Sequence, residues 1–324
     1  MIQLTGKLLI FLFVVQGVYS FCENKDAFNN VSVNVHLSRN VRGIKLVQVS
    51  LYKQDHYAII DVKQGNITDL CDGIIKNFPV LESLFLINVN VSRIQPNAFQ
   101  AVPRLRELSL AVNNIEDLVD GSFNNLDSLE TLYLSGNKIK FISGETFQNM
   151  KSLKHLHLDR NLITKLGPNC LRGSSLLSVL DLRHNLMELV DGNTFPTLEP
   201  IFTEPVTIFL GNNNIKDVDP SVFSFKNPIR LHLERNNLNT ISTLFHGIKE
   251  FSVIYLNNNQ FNCLPDDVLT NVKTTTKTIY LLDNPISCDC LKTIENSFAD
   301  ELYGVEHLIY NSTFPCDMPV YLIP

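Results

Sequence analysis

The apolar positions of this chain recur as L-x-x-L-x-L-x-x-N-x-I. The clearest copy runs Leu129, Leu132, Leu134, Asn137, Ile139. Equivalent copies begin at Leu105, Leu153 and Leu177, each 24 residues after the last. The frame extends back to Leu81 and Tyr57 and forward to Pro205, Pro228, Phe251 and Thr276, with spacings of 28, 23, 23 and 25, for ten repeat-like units. Each unit predicts a short strand at L-x-L, where alternate side chains point inward. Successive strands then stack as a parallel sheet about 5 Å apart, and the inward leucines form a core that no single unit could bury alone. A large apolar residue closes most units: Phe99, Phe123, Phe147, Leu171, Phe195 and Phe223. The asparagine column (Asn113, Asn137, Asn161, Asn185, Asn213, Asn236, Asn259, Asn284) falls where the chain turns from the strand. An amide there offers both donor and acceptor to the turn's backbone. The two earliest units have Gly65 and Val89 instead, so that end is expected to be less regular.

This pattern resembles the leucine-rich-repeat family over roughly residues 57–290. The resemblance implies an α/β horseshoe solenoid with a parallel β-sheet on its concave face and an irregular or 3-10 convex side. A stack of open coils needs caps on its apolar ends. The expected organisation is a signal peptide at 1–20, an N-terminal cap at 21–56, a solenoid of about ten repeats at 57–287 and a cysteine-containing C-terminal cap at 288–324. Alternation in Val31–Val35 and Leu46–Leu51 suits a strand-rich N-terminal cap.

Cys22 and Cys71, the cysteines near the N-terminal cap, are expected to pair. At the other end, Cys288-Asp289-Cys290 resembles the start of the family's extracellular C-terminal cap, with Ile294, Phe298 and Leu302 at helical spacing. That cap usually carries four cysteines, and only three follow Ile286 here. Cys263 and Cys288 are the thirteenth residues of consecutive units, a spacing that fits a disulfide. The pairs Cys263–Cys288 and Cys290–Cys316 follow, with the exchange Cys288–Cys316 as the alternative. Cys170 remains, either a buried inert thiol or a link to another chain.

The chain has 324 residues, a net charge of −6 and seven cysteines. No Lys/Arg block is present, which argues against nucleic acid as partner. Lys7 followed by the apolar run Leu8–Val15 and ending at Ser20 reads as a signal peptide, too short to span a bilayer. Sequons at Asn30, Asn66, Asn90 and Asn311 agree with the secretory route. The expectation is a soluble extracellular glycoprotein with no membrane span.

Outward side chains of the strands line the concave face. The residue between the second and third leucines reads Asp61, Phe85, Ser109, Tyr133, His157, Asp181, Phe209, His232, Tyr255, Tyr280. Its last four members bear rings and sit on consecutive strands. Such a stripe marks an interaction site, or the rings stack to stabilise the sheet. Glu82, Glu107 and Glu130 lie early on this face, and Lys154, His155, Arg160, Arg183, His184, Arg230 and Arg235 lie later. That gradient suits an acidic partner or is ordinary solvated surface. The ligand-binding set is therefore Phe209, His232, Tyr255, Tyr280, Arg230 and Arg235. Asn66 and Asn90 occupy the tenth position of adjacent units, so glycans there would leave the C-terminal half freer. His155, His157, Asp159, Asp181 and His184 face outward together but form no metal-ligand motif, and no metal or cofactor is expected. Four extra residues around Glu199–Phe202 read as a loop of tolerated length.

Nucleophile motifs, phosphate-cradling glycine loops and paired catalytic carboxylates are lacking, so the chain is not read as an enzyme. The expected function is binding of an extracellular protein or glycan by the concave face. Resemblance to insect leucine-rich immune factors implies innate immunity. The alternatives are an extracellular-matrix or adhesion component and a soluble receptor-like ectodomain.

Overall fold

The computed structural model describes residues 32–37, 44–46, 57–191 except 74, 77, 101 and 149, 206–219, 229–240, 251–270 except 267, 276–299 and 307–309. The signal peptide, Cys22, Asn30, Phe195, the loop at 199–202, Phe223, Leu302, Asn311 and Cys316 lie outside the described residues.

One sheet of 13 strands runs the length of the molecule. Ser32–Leu37 pairs antiparallel with both Ile44–Leu46 and Tyr57–Gln64, at one edge. From Tyr57–Gln64 onward every pairing is parallel, through Ser83–Phe85, Glu107–Ser109, Thr131–Tyr133, His155–His157, Val179–Asp181, Val206–Phe209, Ile229–His232, Phe251–Tyr255, Thr276–Tyr280 and His307–Ile309. The chain is thus a parallel-sheet solenoid. On the far side of the coils, turns alternate with two-residue strand pairs such as Phe141–Ile142 with Lys165–Leu166. No 3-10 turn occurs there among the described residues.

The repeat spacing produces the core directly. Leu84, Leu108, Leu132, Leu156 and Leu180 are register partners from strand to strand, and each is fully buried. Burying one leucine stabilises by about 1.5–3 kcal/mol. Phe99, Phe123 and Phe147 stack behind them, with ring centroids 6.5 and 5.6 Å apart.

Beside this apolar core runs a polar spine. In each of the eight coils that carry it, from Asn113 to Asn284, the asparagine is buried to between 1 and 7% exposure. Asn161 is representative. Its Oδ1 accepts from the Ile139 amide of the preceding coil at 3.0 Å. Its Nδ2 donates to the Leu134 carbonyl of that coil and to Leu158 of its own, both at 3.0 Å. Asn113 serves the first regular coils, where its Oδ1 accepts from both the Val89 and Val91 amides. Val89 has no amide for the coil before it, and there its backbone carbonyl accepts from the Ile67 amide at 2.7 Å instead.

The residue before each asparagine, and before Val89 at the same position, is left-handed. Asn88, Gly136, Arg160, His184, Asn212, Arg235, Asn258 and Asp283 have φ between 54° and 67°. Glycine and asparagine adopt this conformation at little cost. Val112 occupies the same position at φ 55°, where a β-branched side chain is strained.

At the C-terminal end the helix Cys288–Ala299 starts with Ser287 as its cap, its Oγ accepting from the Cys290 amide at 3.2 Å. Ile294 of this helix is buried, as its helical spacing requires.

The disulfide here corrects the sequence expectation: Cys263 bonds Cys290, with Cα atoms 5.4 Å apart, and not Cys288. Equivalence between Cys263 and Cys288 assumed that the chain stays extended through the thirteenth position. It instead turns helical at Cys288, and two residues of helix rotate the side chain about 200°. Cys290 then faces the core, 4% exposed, while Cys288 is half-buried. This pairing removes the expected Cys263–Cys288 and Cys290–Cys316 bonds. Cys71 and Cys288 each take part in a disulfide of their own. Cys170 is a free thiol, 1% exposed, and burial pushes its pKa up to about 12. A disulfide from Cys170 to another folded chain is therefore closed off, because neither access nor thiolate is present.

Three outcomes follow from this packing. Asn161→Ala leaves the buried Ile139 amide without its acceptor, takes one of two amide donors from the Leu134 and Leu158 carbonyls, and lowers stability by about 2 kcal/mol or more in chemical denaturation. Val112→Asn relieves the left-handed valine and raises stability by about 1 kcal/mol in thermal unfolding. Cys170 stays unreactive to a disulfide-exchange reagent in the native protein and reacts once denaturant opens the solenoid; rapid native labelling would contradict the burial.

Candidate binding face

Strand pairing sets the concave column in register. Asp61, Phe85, Ser109, Tyr133, His157, Asp181, Phe209, His232, Tyr255 and Tyr280 are each the partner of the next. Parallel strands lie about 4.8 Å apart, close to the separation at which planar rings stack. The four C-terminal rings form one continuous pile: Phe209–His232 at 4.4 Å, His232–Tyr255 at 4.1 Å and Tyr255–Tyr280 at 4.5 Å between centroids. All four are partly exposed. The rings therefore cover one another's faces and leave part of each side chain open to solvent.

The pile has a cationic end. The Arg183 guanidinium sits over the Phe209 ring at 4.5 Å from its centroid. Asp181, in the ring column itself, holds it there: Nη2 donates to Oδ2 at 2.6 Å and Nε to Oδ1 at 3.0 Å. Hydrogen bonding to Asp181 keeps the Arg183 pKa above even its usual value. Beyond Asp181 a second, shorter stack pairs Tyr133 with His157 at 4.7 Å. Sequence reasoning missed both features. The signal for the first was present, since residues two apart on a strand share a face, as Asp181 and Arg183 do.

Burial acts on the titrating members of the column. It lowers the His157 pKa against the pull of Asp181 and Asp159, which favours the neutral ring. Burial also raises the Tyr255 pKa, aided by Tyr280, and that of Tyr133, aided by the Glu107 charge. The tyrosine hydroxyls remain protonated donors.

A Cβ on Gly211 would lie 2.5 Å from Glu234 Oε1, so a side chain there would displace the Glu234 carboxylate. The Glu234 carboxylate folds over that bare backbone, with Oε2 buried and 3.6 Å from His232 Nδ1.

The expected charge gradient is partly cancelled at its boundary. Glu130 lies 2.7 Å from Lys154 and 3.9 Å from Arg106. The Lys154 hydrogen bond is the main cause of its lowered pKa. Glu107 accepts from Ser83 Oγ. Glu82, Arg160, His184, Arg230 and Arg235 remain exposed. Arg160, Arg230 and Arg235 have no ion pair among the described residues. Arg230 flanks the ring pile on its own strand, while Arg235 lies on the turn beyond it.

His157, Asp159 and Asp181 do come together, with one ligand atom of each within 4.8 Å of the others. His155 instead lies against Thr131 Oγ1 at 3.2 Å, and His184 is exposed on its turn. Arg183 already supplies the cation for Asp181, and Asp159 accepts from Ser135 Oγ.

Asn66 and Asn90 are exposed neighbours, the Asn90 amide donating to Asn66 Oδ1. No helix among the described residues is long and apolar enough to cross a membrane.

Among solved structures, the chain is similar to the leucine-rich repeat domain of APL1B, at 24% identity over 63% of this chain and 58% of that one, with a TM-score of 0.51. It is also similar to the Toll–Spatzle complex, described as a molecular hub in Drosophila development and innate immunity. The glycosylated form matches at 15% identity over 70% of this chain and 30% of that one, with a TM-score of 0.59. A second structure of that complex matches at 19% identity over 69% and 30%, with a TM-score of 0.57. The chain spans less than two thirds of each of these proteins, and the likeness is one of fold. No curated protein matches the sequence. The leucine rich repeat family itself matches residues 57–115, 103–163, 151–201 and 206–261. That match covers most of the coils whose leucines and asparagines make the core and spine described above, and the chain belongs to the leucine-rich repeat family.

Proposed function

We propose that the protein is secreted and acts by binding an extracellular protein through the C-terminal half of its concave face. The observation that carries this reading is the continuous pile Phe209–His232–Tyr255–Tyr280, capped by Arg183 and partly open to solvent. Stacking fixes the rings before a partner arrives, so little side-chain entropy remains to be lost on binding. Rigid aromatic and arginine side chains supply most of the energy at protein interfaces. Arg230 and Arg235 add positive charge beside the pile and favour an acidic partner surface.

Sugar on Asn66 and Asn90 would sit on adjacent coils of the N-terminal half, leaving the ring-bearing half accessible. Catalysis has no place in this reading, and the leucine-rich repeat is in general a protein-interaction scaffold. Toll in its complex with Spatzle is a related solenoid engaged with another protein in development and innate immunity. That likeness supports an immune role as the first to test.

The test is a crosslinking pull-down from native extracellular fluid with the wild type and with Phe209→Ser/Tyr255→Ser/Tyr280→Ser. The variant must first be secreted, with an unchanged circular dichroism spectrum. A partner captured by the wild type should bind the variant about a hundredfold more weakly. Equal capture by both proteins would make the pile a purely structural feature.

A further inference from the structure

The flank of the solenoid, where each coil leaves its asparagine turn, has a composition that the concave face does not explain. Its tenth position is polar on most coils: Asn66, Asn90, Asn114 and Lys138 before, Asn214 and Asn237 after. On two consecutive coils between them it is Leu162 and Leu186, 39 and 44% exposed. At the thirteenth position Phe141 and Leu189 are 41 and 49% exposed. Four of the seven large apolar side chains exposed among the described residues therefore lie on three successive coils of one flank. Scattered exposed leucines are ordinary, but a bounded cluster marks a contact surface.

Charge on the same flank identifies what fits it. The twelfth position reads Glu116, Lys140, Thr164, Glu188, Lys216 on consecutive coils, and all five side chains are exposed. Lys140 pairs with Glu116 at 3.0 Å and Lys216 with Glu188 at 2.8 Å. This row inverts its sign about Thr164. A second copy, turned about a two-fold axis that lies along the chain direction at Thr164, sets Lys140 against Glu188 and Glu116 against Lys216. The same operation sets Phe141 against Leu189 and Leu162 against its own copy. The charged row and three of the four apolar side chains (Phe141, Leu162 and Leu189) are thus self-complementary about one axis, as an isologous interface requires.

We propose that this flank is a homodimer interface centred on Thr164 and Leu162. The intrachain pairs Lys140–Glu116 and Lys216–Glu188 become two alternating four-charge clusters across the axis. Three contacts oppose it: Leu186 meets Lys138, Lys165 meets its own copy, and Asp117 meets Asp217. The Lys165 ammonium already lies over the Phe141 ring, 5.5 Å from its centroid. With an apolar centre of only a few hundred Å² on each copy, the dimer belongs to the weak, micromolar class. The interface leaves the concave ring pile free, so it stands independently of the binding role proposed above.

Sedimentation velocity of the full chain over a concentration series tests the proposal. The wild type shows a monomer–dimer equilibrium. Leu162→Glu, with unchanged circular dichroism, sediments as a monomer. Lys140→Glu and Glu188→Lys each weaken the dimer about tenfold or more, because each creates like-charge pairs across the axis. An equimolar mixture of these two variants regains the dimer, since each offers the charge that the other lacks. A wild type that stays monomeric up to about 100 μM, well above the micromolar range, overturns the proposal. So does a dimer indifferent to these substitutions, or a mixture that stays monomeric.

Discussion

The buried amide of the repeated asparagine is the constraint on which the rest of this solenoid depends. Each coil must turn sharply from strand to flank, and a sharp turn inside a packed protein strands backbone donors and acceptors away from water. Asn137, Asn161, Asn185 and Asn213 resolve this identically, bonding the preceding coil and their own at once. A hydroxyl is too short for that span, and a carboxylate has no hydrogen to donate. Each amide also ties the level of one coil to the next. Strand register, leucine core and phenylalanine stack all inherit that alignment.

Once the coils are locked in register, whatever lies at one outward position forms a row about 4.8 Å apart per step. The concave ring pile and the alternating charges of the flank are two results of this single geometry. Rings at that spacing stack without any further design. Glutamate and lysine at that spacing pair between neighbouring coils, as Lys140–Glu116 and Lys216–Glu188 do. The scaffold therefore separates two tasks. Inward positions serve the fold and tolerate few residue types, and outward positions are free to vary and specify what is bound.

Departures from the repeat also have local causes. Where the chain turns helical at Cys288, side-chain direction follows a period of 3.6 rather than 2, and the cysteine two residues on becomes the partner of Cys263. Val112 keeps the left-handed turn although its side chain disfavours it, because the amide hydrogen bonds on either side over-determine that backbone. Gly211 is the converse case, an absent side chain whose space the Glu234 carboxylate occupies.

The sequence by itself determined the coil frame, the leucine core, the asparagine spine and the order of the concave column. These are periodic features, and periodicity along a chain translates directly into rows in space once the unit is stacked. Only the tertiary structure decided how long side chains are oriented and which charges meet. Arg183 turns back onto Asp181 and over Phe209, Glu130 binds Lys154, and Tyr133 stacks on His157, because coils 23 to 28 residues apart come within bonding distance. The cysteine pairing and the inaccessibility of Cys170 were likewise settled in three dimensions. Both depend on how the chain bends and packs, which a repeat count along the sequence does not record.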